Sequence, residues 1–109
     1  MKEISAQEAF EKIKSGEALG IDVREPMEWQ AGRAEVENVI FNPLSAFDTE
    51  KIPQDKSIIF ICRSGNRSRQ VTMQLETYGL DVANMSGGML SWFEAGLPMT
   101  GDNDSPYVA

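Results

Sequence analysis

Apolar residues recur along the chain in two alternating rhythms. Ala6, Ala9, Phe10 and Ile13 fall at i, i+3, i+4 and i+7, the stripe of an amphipathic helix. Ser5-Ala6-Gln7-Glu8 at its start is a capping box, in which the Ser5 hydroxyl and the Glu8 carboxylate each meet a free backbone N–H. Gly16 stops that helix. Ala18 to Val23 is short, apolar and partly β-branched, which predicts a buried strand ending in Asp22-Val23-Arg24. Pro26 suits a first helical turn, where its missing N–H costs nothing, so a short helix is expected from there to about Gly32. Val39-Ile40-Phe41 reads as a second strand closed by Asn42-Pro43, followed by a short helical piece around Ser45 to Glu50. Pro53-Gln54-Asp55-Lys56 is a turn. Ile58-Ile59-Phe60-Ile61 is a continuous apolar run between turn signals, as in a strand covered on both faces of a parallel sheet. Val71, Leu75 and Tyr78, with Met73 nearby, mark a helix that stops at Gly79. Val82 to Met85 follows as a strand, Ser86-Gly87-Gly88 as a tight turn, and Met89 to Ala95 as a last helix ended by Gly96 and Pro98.

Strands and helices alternate without internal repeats or low-complexity stretches. The pattern predicts an α/β fold with a central, mostly parallel sheet flanked by helices on both faces. At 109 residues the chain suits one hydrophobic core. Residues 1–100 are expected to form a single domain. Residues 101–109, with little to bury except Tyr107 and Val108, are expected to be a flexible tail.

Composition narrows the chemistry mainly through what is missing. Hydrophobic residues at 41% and charged residues at 25% exclude the polar excess of a disordered chain, and no apolar run is long enough to span a bilayer. Met1-Lys2-Glu3 leads into a polar amphipathic stretch with no apolar signal core, so the expected compartment is cytoplasmic and Cys62 is expected to be a free thiol. The chain has no histidine, which removes a Ser-His-Asp triad, a Cys-His dyad and His-ligated zinc. Its single cysteine, Cys62, removes an internal disulfide, a C-x-x-C redox pair and Cys-rich metal or iron–sulfur sites, so neither metal nor cofactor is expected.

Ten basic against seventeen acidic residues give a net charge of −7, which argues against nucleic acid or an anionic membrane as a partner. That average conceals a local exception. From Lys56 to Leu75 there is no Asp or Glu, but there are Lys56, Arg63, Arg67 and Arg69, an island of +4. The remaining six basic and seventeen acidic residues carry −11, and the only thiol lies inside the island.

Cys62 stands at the carboxyl end of a predicted parallel strand, where ligands of α/β folds sit and where the next loop meets a helix N-terminus. Free N–H groups, the helix dipole and guanidinium charges there favour an anionic thiolate. Gly65 permits the curvature that turns successive N–H groups inward as an anion nest. Taken singly, a cysteine after four apolar residues is more often inert core, and arginines are more often solvated surface. A strand-end Cys, a Gly-bearing loop, two flanking arginines and an immediate helix start within seven residues outweigh those readings together.

These residues are similar to known signatures. Asp22-Val23-Arg24-Glu25 followed by Glu28-Trp29, the C-x-x-G-x-R-S segment from Cys62 to Ser68, and Gly87-Gly88-Met89-Leu90-Ser91-Trp92 with Ala95-Gly96-Leu97-Pro98 occur in order. From about Ile4 to Pro98 the chain resembles the single-domain rhodaneses, a sulfurtransferase family. The resemblance implies that Cys62 is the sulfur-carrying nucleophile and that backbone N–H groups from Arg63 through Ser64, Gly65, Asn66 and Arg67 to Ser68 cradle its sulfur. It implies that Arg63 and Arg67 hold an anionic donor such as thiosulfate or a polysulfide. Asp22, Arg24 and Glu28 match positions that support the site, though an ordinary ion-pair network at a strand end is the simpler role for them. Trp29 and Trp92 are better taken as core or rim aromatics. Gly32-Arg33-Ala34 stands where the family commonly has Gly-His-Ile, and the stretch to Pro43 runs a residue or two longer. Arg33 either joins the cationic rim or faces water.

The expected reaction is double displacement through a persulfide on Cys62, with an external acceptor: cyanide, a small thiol or another protein's cysteine. Two other classes compete. Cys-dependent phosphatases and arsenate reductases use a C-x5-R loop, whereas here Arg67 follows Cys62 by five positions and Ser68 takes the place of the sixth. A non-catalytic rhodanese-like interaction module would use the same face for a protein partner.

Overall fold

In the computed structural model, which describes residues 1–109, five strands form one parallel sheet in the order β1-β6-β5-β2-β4. These strands are β1 (Lys2–Ile4), β2 (Ala18–Asp22), β4 (Val39–Phe41), β5 (Ser57–Ile61) and β6 (Val82–Met85). The helices are α1 (Ala6–Lys14), α2 (Pro26–Ala31), α3 (Asn66–Glu76) and α4 (Gly88–Glu94). A two-stranded antiparallel pair, β3 (Arg33–Ala34) with β7 (Met99–Thr100), stands apart from the sheet.

The apolar run before Cys62 forms the central strand. Side chains alternate along β5, so Ile59 and Ile61 pack on one face with Ala6, Ala9 and Ile13 of α1 and Met89 and Trp92 of α4. Ile58, Phe60 and then Cys62 join the other face with Ile21, Val23, Ile52, Val71 and Val82. Trp92 is fully buried against the edge of Phe10, centroid to centroid 5.5 Å, and its indole N–H donates to the Pro98 carbonyl at 2.8 Å. Trp29 is half-buried and stacks on Phe41 at 4.7 Å. Both tryptophans are structural aromatics.

The topology places one position apart from the rest. The chain leaves β2 toward β4 and leaves β5 through α3 toward β6, on the opposite side. The carboxyl ends of β2 and β5 therefore flank the switch point of the sheet, where open parallel sheets form their crevice. Cys62 follows β5 at that point, beside Val23 and Arg24.

Several local readings change. Ser5 caps α1 by accepting from the Glu8 N–H at 3.1 Å, while the Glu8 carboxylate turns to Lys12 and makes no return bond. The helical piece around Ser45 to Glu50 is two 3-10 turns, Leu44–Ala46 and Thr49–Lys51. Asn42 separates them by exchanging hydrogen bonds of 2.9 Å with the backbone of Asp48. The helix expected to stop at Gly79 ends three residues earlier, at Glu76. Arg33 does not join a cationic rim: its guanidinium donates to the Trp29 carbonyl and to Asp102, and lies 5.3 Å from the Trp29 ring centre. At the carboxyl end of α2 the Gln30 carbonyl accepts from Asp102 N–H at 2.9 Å and the Ala31 carbonyl from Tyr107 N–H at 3.2 Å. No helix is long and apolar enough to cross a membrane.

Candidate active site

Cys62 is fully buried at the floor of the loop from Arg63 to Gly65 that joins β5 to α3. Its Sγ accepts from the Gly65 N–H at 3.0 Å and lies 3.2 Å from the Ser68 hydroxyl. The loop's carbonyls face away from the sulfur. Those of Cys62 and Arg63 accept from Met89 N–H and Leu90 N–H, at 2.8 and 3.0 Å, in the first turn of α4. The amides of Arg63, Ser64, Asn66, Arg67 and Ser68 have no protein acceptor. The last three belong to the first turn of α3, whose N–H groups have no intrahelical partner.

Glycines make this close approach possible. Gly65 has φ of +97° at the start of α3, a left-handed conformation that L side chains adopt only with strain. Gly88 has φ of +57°, and a Cβ there would lie 2.4 Å from the Cys62 carbonyl oxygen and 2.6 Å from that of Arg63. Gly88→Ala is therefore expected to push the Cys62 loop off α4 and lower turnover by about a hundredfold, the scale of a 1 Å misplacement. Gly79→Ala is the control. That residue is equally left-handed but has nothing within 4 Å of its Cβ position, so stability falls by about 1 kcal/mol and turnover is unchanged. Steady-state rates together with thermal unfolding check the pair.

The +4 island is partly neutralised in space. Arg67 gives both terminal nitrogens to the Glu28 carboxylate at 2.8 Å each, and Arg69 faces Glu3 at 3.7 Å. Arg63 alone of the three has no Asp or Glu partner; it is exposed, and its Nε donates to the main-chain oxygen of Ala109 at 2.9 Å. Glu28 also accepts from the Glu25 N–H at 2.9 Å, so one carboxylate caps α2 and clamps α3 to it. Asp22 and Arg24 are both buried. Arg24 binds both Asp22 oxygens and reaches the carbonyl of Gly32 at 2.7 Å. This pair fastens the far end of α2 and makes no contact with the Cys62 sulfur.

The Arg67 hydrogen bonds hold the Glu28 carboxyl below its ordinary range, against a partial burial that raises it. A depressed carboxyl value means that the clamp's stabilisation is complete above the ordinary carboxylate range and is lost as pH falls through the lowered value. Glu28→Gln is expected to cost about 1 kcal/mol at neutral pH, less than a fully buried pair because Arg67 is partly solvated. It should also flatten the acid limb of the stability curve. Urea unfolding as a function of pH measures both.

The sequence-predicted residues thus fall into three groups. Cys62, Gly65 and Ser68 meet at the sulfur, whereas Arg63, Ser64 and Asn66 form the exposed lip of the loop. Arg67 and Glu28 brace that loop against α2, and Asp22 with Arg24 lies behind it. Asn84 was not anticipated. It is 1% exposed and lies 2.5 Å from the Ser68 hydroxyl. A polar residue inside the apolar strand Val82-Ala83-Asn84-Met85 was the available signal.

The family model for the Rhodanese-like domain matches residues 5–95. The chain is 39% identical over 93 residues to a Bacillus subtilis protein named "Putative sulfurtransferase YtwF", covering 84% of this chain and 90% of that one. It is 30% identical to a protein of Allochromatium vinosum named "Sulfurtransferase", covering 91% and 94% respectively. An uncharacterized Synechocystis protein is 30% identical over 93% of this chain, which spans 58% of that relative's length. Among solved structures, a rhodanese-related protein from Thermoplasma volcanium superposes with a TM-score of 0.80 at 31% identity, covering 92% of this chain and 98% of that one.

Proposed function

The chain belongs to the rhodanese-like domain family, and on that premise we propose that it moves a sulfane sulfur from thiosulfate or a polysulfide to an external thiophile through a persulfide on Cys62. The family match and the relatives named as sulfurtransferases support sulfur transfer as the general activity. The observation that carries the site assignment is the bond from the Gly65 N–H to Cys62 Sγ, at 3.0 Å, in a loop whose neighbouring amides have no protein acceptor.

In the first step the Cys62 thiolate attacks the outer sulfur of thiosulfate. A new S–S bond forms, the old one breaks, and sulfite leaves with the bonding pair. The persulfide anion that remains is stabilised by the same N–H groups that favoured the thiolate, so no general base is required. In the second step cyanide or a thiolate attacks the outer persulfide sulfur and the Cys62 thiolate departs. These residues contain no second cysteine to take the sulfur, so the acceptor comes from outside.

Arg63 is the cation a donor anion meets first, being exposed and without an Asp or Glu partner. Arg67 contributes less to donor binding because Glu28 balances its charge; its main effect is to brace the loop.

Steady-state kinetics with thiosulfate or a polysulfide as donor, and cyanide or a small thiol as acceptor, test this reading. Double displacement gives parallel double-reciprocal lines, and converging lines would reject it. Hydrolysis of an aryl phosphate that disappears in Cys62→Ser would replace sulfur transfer by phosphatase chemistry.

A further inference from the structure

Ser68 carries one hydroxyl proton and has two neighbours that compete for it. Its Oγ lies 3.2 Å from Cys62 Sγ and 2.5 Å from Asn84 Oδ1. The orientation of the Asn84 amide is set by its other partners. Its nitrogen donates to the Glu3 carboxylate at 2.7 Å and to the Gly65 carbonyl at 3.1 Å, both of which can only accept. The oxygen must therefore face Ser68. Two oxygens 2.5 Å apart, one of them an amide acceptor, require the hydroxyl proton between them. Ser68 then presents a lone pair to the sulfur, and Cys62 fits that lone pair only as a thiol donating S–H.

We propose that Asn84 is a positioning residue for the sulfur nucleophile: it holds the Ser68 proton in the thiol state and releases it to sulfur when Cys62 becomes an anion. On ionisation the thiol proton leaves to water, and the Ser68 hydroxyl turns about its C–O bond to donate to S⁻. Asn84 Oδ1 loses its partner in that step, which opposes the change because a buried acceptor is left unpaired. Thiolate stabilisation by Ser68 is thus partial. This competition limits how firmly the Cys62 thiolate is held. The proposal rests on Cys62 as the sulfur carrier for its meaning, but its geometry concerns the thiol alone.

The charged groups around the loop are Arg63, Arg67 and Arg69 from the loop and α3, Glu28 from α2, the Asp22–Arg24 pair at the end of β2, and Glu3 from β1. Lys56, at the start of the segment leading into β5, is exposed. Substituting Asn84 or Ser68 changes none of these charges.

The test is the thiolate-to-thiol ratio of Cys62 at fixed neutral pH, read by the ultraviolet absorbance of the thiolate in the full chain. Asn84→Leu frees the hydroxyl for sulfur and should raise the ratio about fivefold, whereas Ser68→Ala should lower it by a similar factor. The double variant should match Ser68→Ala alone. Shifts of the same sign in both single variants, or additive shifts in the double, would overturn the proposal.

Because Asn84→Leu alters a buried position, a second readout uses wild type. The Asn84 side-chain carbonyl carbon resonance should move in step with Cys62 ionisation and stay still in Ser68→Ala; a resonance indifferent to Cys62 in wild type rejects the idea. Failure of persulfide formation with these thiolate results intact would remove the sulfur-carrier reading and leave the proton competition standing.

Discussion

Cys62→Ser is expected to abolish sulfur transfer, lowering turnover by at least about a thousandfold to the uncatalysed background. The reason is chemical rather than steric. A serine hydroxyl fits the same space on the floor of the loop, but it is scarcely ionised near neutrality and forms no stable analogue of a persulfide. Gly65 N–H and Ser68 can still bond to the new oxygen, so the fold should persist. Steady-state assays with thiosulfate and cyanide, alongside thermal unfolding, separate lost chemistry from lost structure. A Cys62→Ser protein that keeps a tenth of wild-type turnover would show that another group carries the sulfur.

Arg24→Leu carries the largest expected loss of stability, about 3–5 kcal/mol, a large part of what a domain of this size possesses. Arg24 has no exposed surface and satisfies both oxygens of buried Asp22, with Nε at 3.0 and 3.1 Å and a terminal nitrogen at 2.9 Å. It also ties down the Gly32 carbonyl at the end of α2. Removing it leaves a carboxylate in the core with the Arg24 backbone N–H as its remaining partner, at 3.0 Å. The double variant Asp22→Asn with Arg24→Leu retains that acceptor and removes the unpaired charge, so it should recover a substantial part of the loss. Urea unfolding of both proteins decides the matter. A double variant no more stable than the single would mean that packing of the arginine, rather than charge pairing, is what counts.

Much of the architecture could be read from the order of residues, because the informative elements carry strong local patterns. The four-residue apolar run before Cys62 reads as a strand covered on both faces of a parallel sheet, which puts the thiol at a strand's carboxyl end; the strand order then makes that end the switch point. Elements whose existence depends on pairing gave no comparable signal. β1 contains one apolar residue in Lys2-Glu3-Ile4 and is a strand because it pairs with β6. β3 and β7 are two residues each and exist only through one another.

The candidate site divides in the same way. Contributions from one contiguous segment, such as Cys62, Gly65 and Ser68, were visible in its spacing. Contributions from a distance were not. Counting charges between Lys56 and Leu75 could not reveal that Glu28, 39 positions before Arg67, would take up that guanidinium. Nor could it reveal that Glu3 would reach across from the edge strand to hold Asn84 and face Arg69. The cationic island is real along the chain, but folding pairs Arg67 and Arg69 with carboxylates and leaves Lys56 and Arg63 without an Asp or Glu partner. The missing histidine acquires a structural counterpart: in its place the site offers backbone N–H groups of the loop and of the first turn of α3 that have no protein acceptor.

The most direct measurement is intact-protein mass after brief treatment with thiosulfate and removal of excess donor, followed by peptide mapping. Wild type should gain the mass of a single sulfur atom, located on Cys62 and lost on addition of cyanide, while Cys62→Ser gains nothing. A wild-type protein that gains no sulfur from thiosulfate or from a polysulfide, or a Cys62→Ser protein that gains it equally, would contradict the assignment of Cys62 as the sulfur carrier.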